Sequence, residues 1–112
     1  LKKFLPDASI LVLGAPDMAH KVNGEMQAYG NIDLIIAAQK SAAQNEQVAF
    51  WNTRVAMGGK GAVIEWVNND LARTDYAHLN AKGSKKLATI FVNDLMLVIE
   101  QNTLQNDGIT EK

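Results

Sequence analysis

Apolar residues fall in short runs separated by polar or glycine-rich stretches, and the spacing within each run suggests its element. Ala8 to Leu13 reads Ala-Ser-Ile-Leu-Val-Leu and stops at Gly14-Ala15-Pro16. A mostly apolar, β-rich run of this kind suits a parallel strand covered on both faces. Asp17 to Gly30 mixes polar residues with two glycines and keeps no period, so it reads as a long connection of a length that often carries function. From Asn31 to about Glu46, the residues Ile32, Ile35, Ile36, Ala38, Ala42 and Ala43 recur at near-helical spacing. Asp33 lies in the first turn, where a carboxylate favours the helix dipole. Val48 to Thr53 is again short, apolar and aromatic. The order strand, helix, strand implies a right-handed crossover between two parallel neighbours.

Gly58-Gly59-Lys60-Gly61 breaks any regular element, and Ala62 to Ala72 follows as a short helix with Ile64, Trp66, Val67 and Leu71 partly buried. The last element starts near Asn80, a good N-cap residue, and runs to about Leu104. Leu87, Phe91, Leu95 and Val98 form its apolar stripe, widened by Ala88, Val92 and Ile99, which should cover one face of the sheet. The tail over 105–112 is polar and offers little to bury, so it is expected to fray. Two strands are few for an open parallel sheet. The missing strands are expected upstream of Leu1, and residues 1–104 then form the C-terminal part of one domain that does not fold as an isolated monomer with a full core. The absence of an initial methionine or a basic-then-apolar leader fits a processed or truncated start.

Composition narrows the partners. Eleven Lys and Arg stand against twelve Asp and Glu, which leaves no cationic excess to hold a nucleic acid backbone or an anionic membrane. Apolar runs such as Ile10 to Leu13 and Leu34 to Ala38 fall far short of the roughly 20 residues of a membrane-spanning helix. Cysteine is absent, so disulfides and thiolate metal sites are excluded while the compartment stays open. The two histidines, His20 and His78, lie far apart without a His-x-x-x-His pair, which makes a zinc site a poor reading. The Gly58 to Gly61 stretch lacks the frame and the following Ser or Thr of a phosphate-binding loop and is better read as a turn.

The chemistry concentrates in Asp75-Tyr76-Ala77-His78, after the second strand and before the last helix. In an open α/β sheet, loops at strand C-termini gather around ligands. A carboxylate three residues before a histidine can accept a hydrogen bond from one ring nitrogen, which fixes the tautomer and frees the other nitrogen as a base. Such a base makes an unactivated serine hydroxyl nucleophilic. His20, in the long connection near Asp17 and Met18, could face a substrate cleft but reads more simply as a solvated loop residue. Trp51 reads as a packing residue, Trp66 equally as packing or as an aromatic wall for a sugar or acyl group, and Lys82, Lys85 and Lys86 as a solvated helix face.

The longer string from Asp75 to Ala88, Asp-Tyr-Ala-His-Leu-Asn-Ala-Lys-Gly-Ser-Lys-Lys-Leu-Ala, resembles the last conserved block of the GDSL/SGNH hydrolases. In that family Asp-x-x-His-Leu-(Asn/Thr)-x-x-Gly opens the C-terminal helix. Ile10 to Asp17 resembles the family's fourth strand with its Gly-x-Pro exit. Ala49-Phe50-Trp51-Asn52, Met57-Gly58-Gly59 and Trp66 resemble a subset of bacterial members, so that the likeness spans roughly residues 8 to 100. Ser84 stands where many members carry Tyr or Phe.

The resemblance implies the C-terminal portion of a three-layer α/β/α, flavodoxin-like fold. It further implies a serine esterase in which Asp75 and His78 complete the triad, acting on short acyl esters such as O-acetyl groups of carbohydrate or cell-wall glycans. No metal or organic cofactor follows from it, and a periplasmic or secreted location does. The family's Gly-Asp-Ser and oxyanion-hole blocks precede this region and are not found here, and Ser9, Ser41 and Ser84 lack the strand-end setting of its nucleophile. The expected partners are thus an ester substrate and the preceding half of the same domain, without which this chain is inactive. The rival expectation is a non-catalytic α/β interaction domain in which Asp75 and His78 merely cap the last helix.

Overall fold

A computed structural model describes residues 7–110, with side chains through Thr103. Its elements are β1 (Leu11–Leu13), β2 (Ala19–Val22), β3 (Glu25–Ala28), α1 (Ile32–Asn45), β4 (Ala49–Trp51), α2 (Thr53–Met57), α3 (Ala62–Asn68) and α4 (Ala81–Thr110). The two expected strands pair in parallel as β1 and β4, with Val12 opposite Phe50. The ladder continues past β1, where Gly14 N donates to Trp51 O at 2.8 Å. Gly14 is required by this close approach, since a Cβ there would lie 2.8 Å from the Phe50 ring and 3.2 Å from Trp51 O.

Alternation along a strand puts Leu11, Leu13, Ala49 and Trp51 on one face of the pair. Trp51 on that face meets Phe91 of α4 edge-on at 5.1 Å, and its Nε1 donates to Asp94 at 2.9 Å. Helix α1 packs against β4, and Gln39 Oε1 accepts from Ala15 N at 2.9 Å, which ties that helix to the exit of β1. The result is a mixed α/β arrangement with a small parallel sheet among helices. One expectation fails here: β1 is three residues long and is not covered on both faces, with Leu11 and Leu13 exposed. The described residues supply only part of the apolar surface that its sequence is built to meet.

The segment 17–30 is not a featureless connection. It holds an antiparallel hairpin in which Ala19 pairs with Ala28 and Val22 with Glu25. Asn23 (φ 51°) and Gly24 (φ 84°) make its two-residue turn. Asn-Gly supplies the two positive φ angles that a tight hairpin needs. Polar residues on both flanks, His20, Lys21, Glu25 and Gln27, hide the strand alternation from a hydrophobicity pattern.

Asn52 ends the second strand earlier than expected. Its side chain accepts from Val55 N at 3.0 Å and starts α2, a helix the apolar run Val48 to Thr53 concealed. Similarly, α3 ends at Asn68 and not at Ala72, because Leu71 N and Ala72 N both turn back to Trp66 O.

The buried cluster comprises Ala19, Met57, Val63, Trp66 and Ala72, with Leu71, Tyr76, Leu79 and Leu87 packed around it. It therefore lies where the hairpin, α2, α3 and the loop before α4 meet, beside the sheet. Trp66 is 4% exposed and its Nε1 donates to Met57 O at 2.8 Å, so it packs and forms no aromatic wall. Asp17, at the exit of β1, is fully buried. It accepts from Arg54 Nε at 2.8 Å and from Val63 N at 2.9 Å, joining the loop after β1 to α2 and α3. Arg54 also pairs with Asp33 in the first turn of α1.

Asn80 caps α4, its Oδ1 accepting from Gly83 N at 2.9 Å. Gly83 sits against the end of the α3 segment so closely that a Cβ would fall 1.8 Å from Leu71 O. Only glycine fits that contact. The helix runs through Thr110 and does not end near Leu104, so the expected fraying tail is helical backbone up to that residue, and residues 111 and 112 lie outside the described part. Among the described residues no helix is long and apolar enough to cross a membrane.

Candidate active site

The nine residues between Asp70 and Asn80 form a tightly tied loop. Ala72 and Leu79 bridge antiparallel, Arg73 N donates to His78 O at 2.7 Å, and Asn80 N donates to Leu71 O at 3.1 Å. Asn80 Nδ2 adds a bond to Asp70 O at 2.7 Å. Within this frame Tyr76 takes a left-handed backbone (φ 56°), uncommon for an aromatic residue and characteristic of strained functional turns. That turn brings Ala77 N and His78 N onto Asp75 Oδ1, each at 3.0 Å.

With one oxygen of Asp75 held by the backbone, the other meets His78 Nδ1 at 2.6 Å. The pair is exposed, 47% for the Asp75 side chain and 74% for His78. The His78 ring thus has Nδ1 engaged, while Nε2 has no hydrogen-bond partner among the described residues. With Nδ1 protonated toward the carboxylate, Nε2 carries the lone pair and can take a proton from a hydroxyl placed against it. Hydrogen bonds from the His78 backbone, the His78 ring and the Ala77 backbone hold the Asp75 carboxyl well below the usual carboxylate range.

This depression has a sign that can be tested. Because the folded value lies below the unfolded one, the ionised carboxylate stabilises the loop fully at pH above its ordinary value of roughly 4. That contribution disappears as the pH falls through the lowered folded value. The gap in thermal midpoint between the wild type and Asp75→Asn is therefore expected to stay constant above about pH 5 and to narrow below about pH 4. A gap that widened on acidification would contradict the assignment.

The other candidates are placed as follows. Asn80, not Asp75 or His78, caps α4, so the capping role that the interaction-domain alternative needs is already filled. Ser9 precedes β1 outside any strand, while Ser41 and Ser84 sit exposed on α1 and α4. None of the three bonds to His78 among the described residues. His20 is not a free loop residue. It lies on β2, half-buried, with its ring stacked on Tyr29 at 3.9 Å and 26°. Lys86 lies 5.1 Å over the Trp66 ring, and Lys82 approaches Asp70 at 3.6 Å. Both keep the exposed setting expected of that helix face.

The hairpin borders the loop. Ala19 N donates to Tyr76 O at 3.0 Å, and between the two elements lies a cavity of about 580 Å³ lined by His20, Lys21, Met26, Tyr29, Thr74 and Asp75 among others. Sequence reasoning missed this wall because it missed the hairpin. The Asn23-Gly24 turn was the signal available.

No family model matches the sequence, and no curated protein matches it. Among solved structures, one described as "Peptidoglycan O-acetylesterase in action, 5 min" aligns over 89% of this chain, with 28% sequence identity and a TM-score of 0.79. The chain spans 29% of the length of that protein. A likeness of almost the whole chain to under a third of an esterase agrees with the expected C-terminal portion of an SGNH-type α/β hydrolase domain.

Proposed function

We propose that this chain is the acid–base part of a serine esterase that removes short acyl groups, chiefly O-acetyl groups, from carbohydrate or cell-wall glycans. The observation that carries the reading is the Asp75–His78 contact of 2.6 Å, with Asp75 fixed by two backbone donors and the His78 side chain exposed. The structural likeness to a peptidoglycan O-acetylesterase supports the reaction class and the glycan substrate.

The steps follow from the geometry once a serine from the preceding half of the domain stands at Nε2. Nε2 removes the hydroxyl proton as the serine oxygen attacks the ester carbonyl carbon, and Asp75 stabilises the imidazolium that forms. The tetrahedral intermediate collapses, the C–O bond to the sugar breaks, and Nε2 returns the proton to the departing alkoxide. Water then repeats the sequence on the acyl-serine, releasing the carboxylic acid and restoring the serine. Each proton taken is given back, so no redox partner or metal is required by this scheme. A glycan substrate of the cell wall places the protein in the periplasm or outside the cell.

The test is turnover of 4-nitrophenyl acetate by the full-length protein, together with labelling by a fluorophosphonate, which reacts with activated serines. Turnover abolished by the label, and no turnover by residues 1–112 alone, are the expected results. A full-length protein that neither hydrolyses the ester nor takes the label would overturn the reading.

A further inference from the structure

The cavity between the β2–β3 hairpin and the Asp75 loop is much larger than an acetyl group requires. Its volume of about 580 Å³ falls among those of small-molecule sites. It also borders Asp75 itself, and the Ala19 N to Tyr76 O bond and the Tyr29 N to Met18 O bond, 3.0 and 3.1 Å, fix the hairpin against the loop that carries the pair. A ligand filling this space therefore contacts the loop that carries Asp75, the partner of His78.

Its lining points to a sugar. The stacked His20 and Tyr29 rings present aromatic surface, and Lys21 and Thr74 line the same cavity. Aromatic faces are negative and attract the weakly positive C–H faces of a pyranose, while hydroxyls around the ring find donors and acceptors in the flanking polar groups. A pocket for an acyl chain would be closed and apolar throughout, without a lysine and a carboxylate in its wall. Stacking also fixes the two rings against each other, so little side-chain freedom remains to be lost when a ligand docks.

Resting on the esterase reading and deepening it, we propose that the His20–Tyr29 pair is the platform that binds the carbohydrate side of the ester, making the hairpin the specificity-determining element of the site. His20 and Tyr29 are positioning residues. They hold the sugar so that its acyl ester reaches His78, and they take no part in proton transfer.

The experiment compares two substrates in the full-length protein, 4-nitrophenyl acetate and a short O-acetylated glycan chain, and adds calorimetric binding of the same glycan without its acetyl groups. Tyr29→Ala and His20→Ala are expected to raise KM for the glycan by roughly tenfold or more with kcat nearly unchanged, a far larger effect than on aryl acetate turnover. Tyr29→Phe, which keeps the stack, should retain most of the glycan affinity. Calorimetry should show glycan binding by the wild type and its loss in Tyr29→Ala. Equal loss on both substrates, or no change on the glycan, overturns the proposal, as does a wild type that does not bind the deacetylated glycan. A protein that binds the glycan through Tyr29 yet cleaves neither ester would instead sink the esterase reading and leave the platform standing.

Discussion

His78→Ala in the full-length protein is expected to lower ester turnover by about 10⁴-fold or more while the protein remains folded. The side chain is 74% exposed, and its one polar side-chain contact is to Asp75, so little packing is lost with it. On the proposed mechanism, what disappears is the group that takes the serine proton. Asp75→Asn should cost less, because the imidazole remains as a base, yet the amide can present a donor to Nδ1 and favour the wrong tautomer. The measurement is hydrolysis of 4-nitrophenyl acetate by wild type and both variants, with circular dichroism to establish that each is folded. Retention by folded His78→Ala of more than about a tenth of wild-type turnover, a barrier change under ~1.4 kcal/mol, would remove His78 from the mechanism.

That prediction rests on a contact that the sequence alone suggests. The spacing of Asp75 and His78 permits the contact, the longer string through Ala88 singles it out, and Asn80 caps α4 as its residue type suggests. Parallel pairing of β1 and β4 was likewise readable, because the runs around Val12 and Phe50 are apolar without alternation and are separated by one helix. The hairpin was not. Its strands carry the polar residues His20, Lys21, Glu25 and Gln27 on both faces, so neither the period-2 rule nor overall hydrophobicity marks them, and only Asn23-Gly24 does. The fate of Trp66 was equally hidden, since its burial depends on Met57 offering a backbone carbonyl nine residues away. Asp17 shows the limit most sharply. A polar residue after Gly14-Ala15-Pro16 reads as loop surface, and nothing local in the sequence announces that Arg54 and the start of α3 will close over it.

The energetic consequence of that burial is the second large effect. Asp17 is wholly buried and Arg54 is 4% exposed, with their contact at 2.8 Å. Removing one member of such a pair leaves the other charged and without its partner, at a cost of roughly 3–5 kcal/mol, whereas replacing both with neutral groups of similar size costs far less. Asp17→Ala should therefore destabilise the full-length protein by up to about that amount, because it leaves the buried guanidinium with only the exposed Asp33 as partner and also takes the acceptor from Val63 N. Arg54→Met alone should be similarly damaging, since the Asp17 carboxylate keeps only the Val63 donor. The double variant Asp17→Asn, Arg54→Met should lose clearly less than the sum of the two, by about 1–3 kcal/mol, as expected for residues in direct contact. Asn at position 17 retains an acceptor for Val63 N, and Met fills much of the space of the arginine stem. Urea midpoints for the wild type, Asp17→Asn, Arg54→Met and the double variant close the cycle. The clamp also bears on the site, since α3 leads through Leu71 and Ala72 into the loop that holds Asp75. Single losses under about 1 kcal/mol, or strict additivity in the cycle, would show that the Asp17–Arg54 pair does not hold the corner on which the Asp75 loop is built.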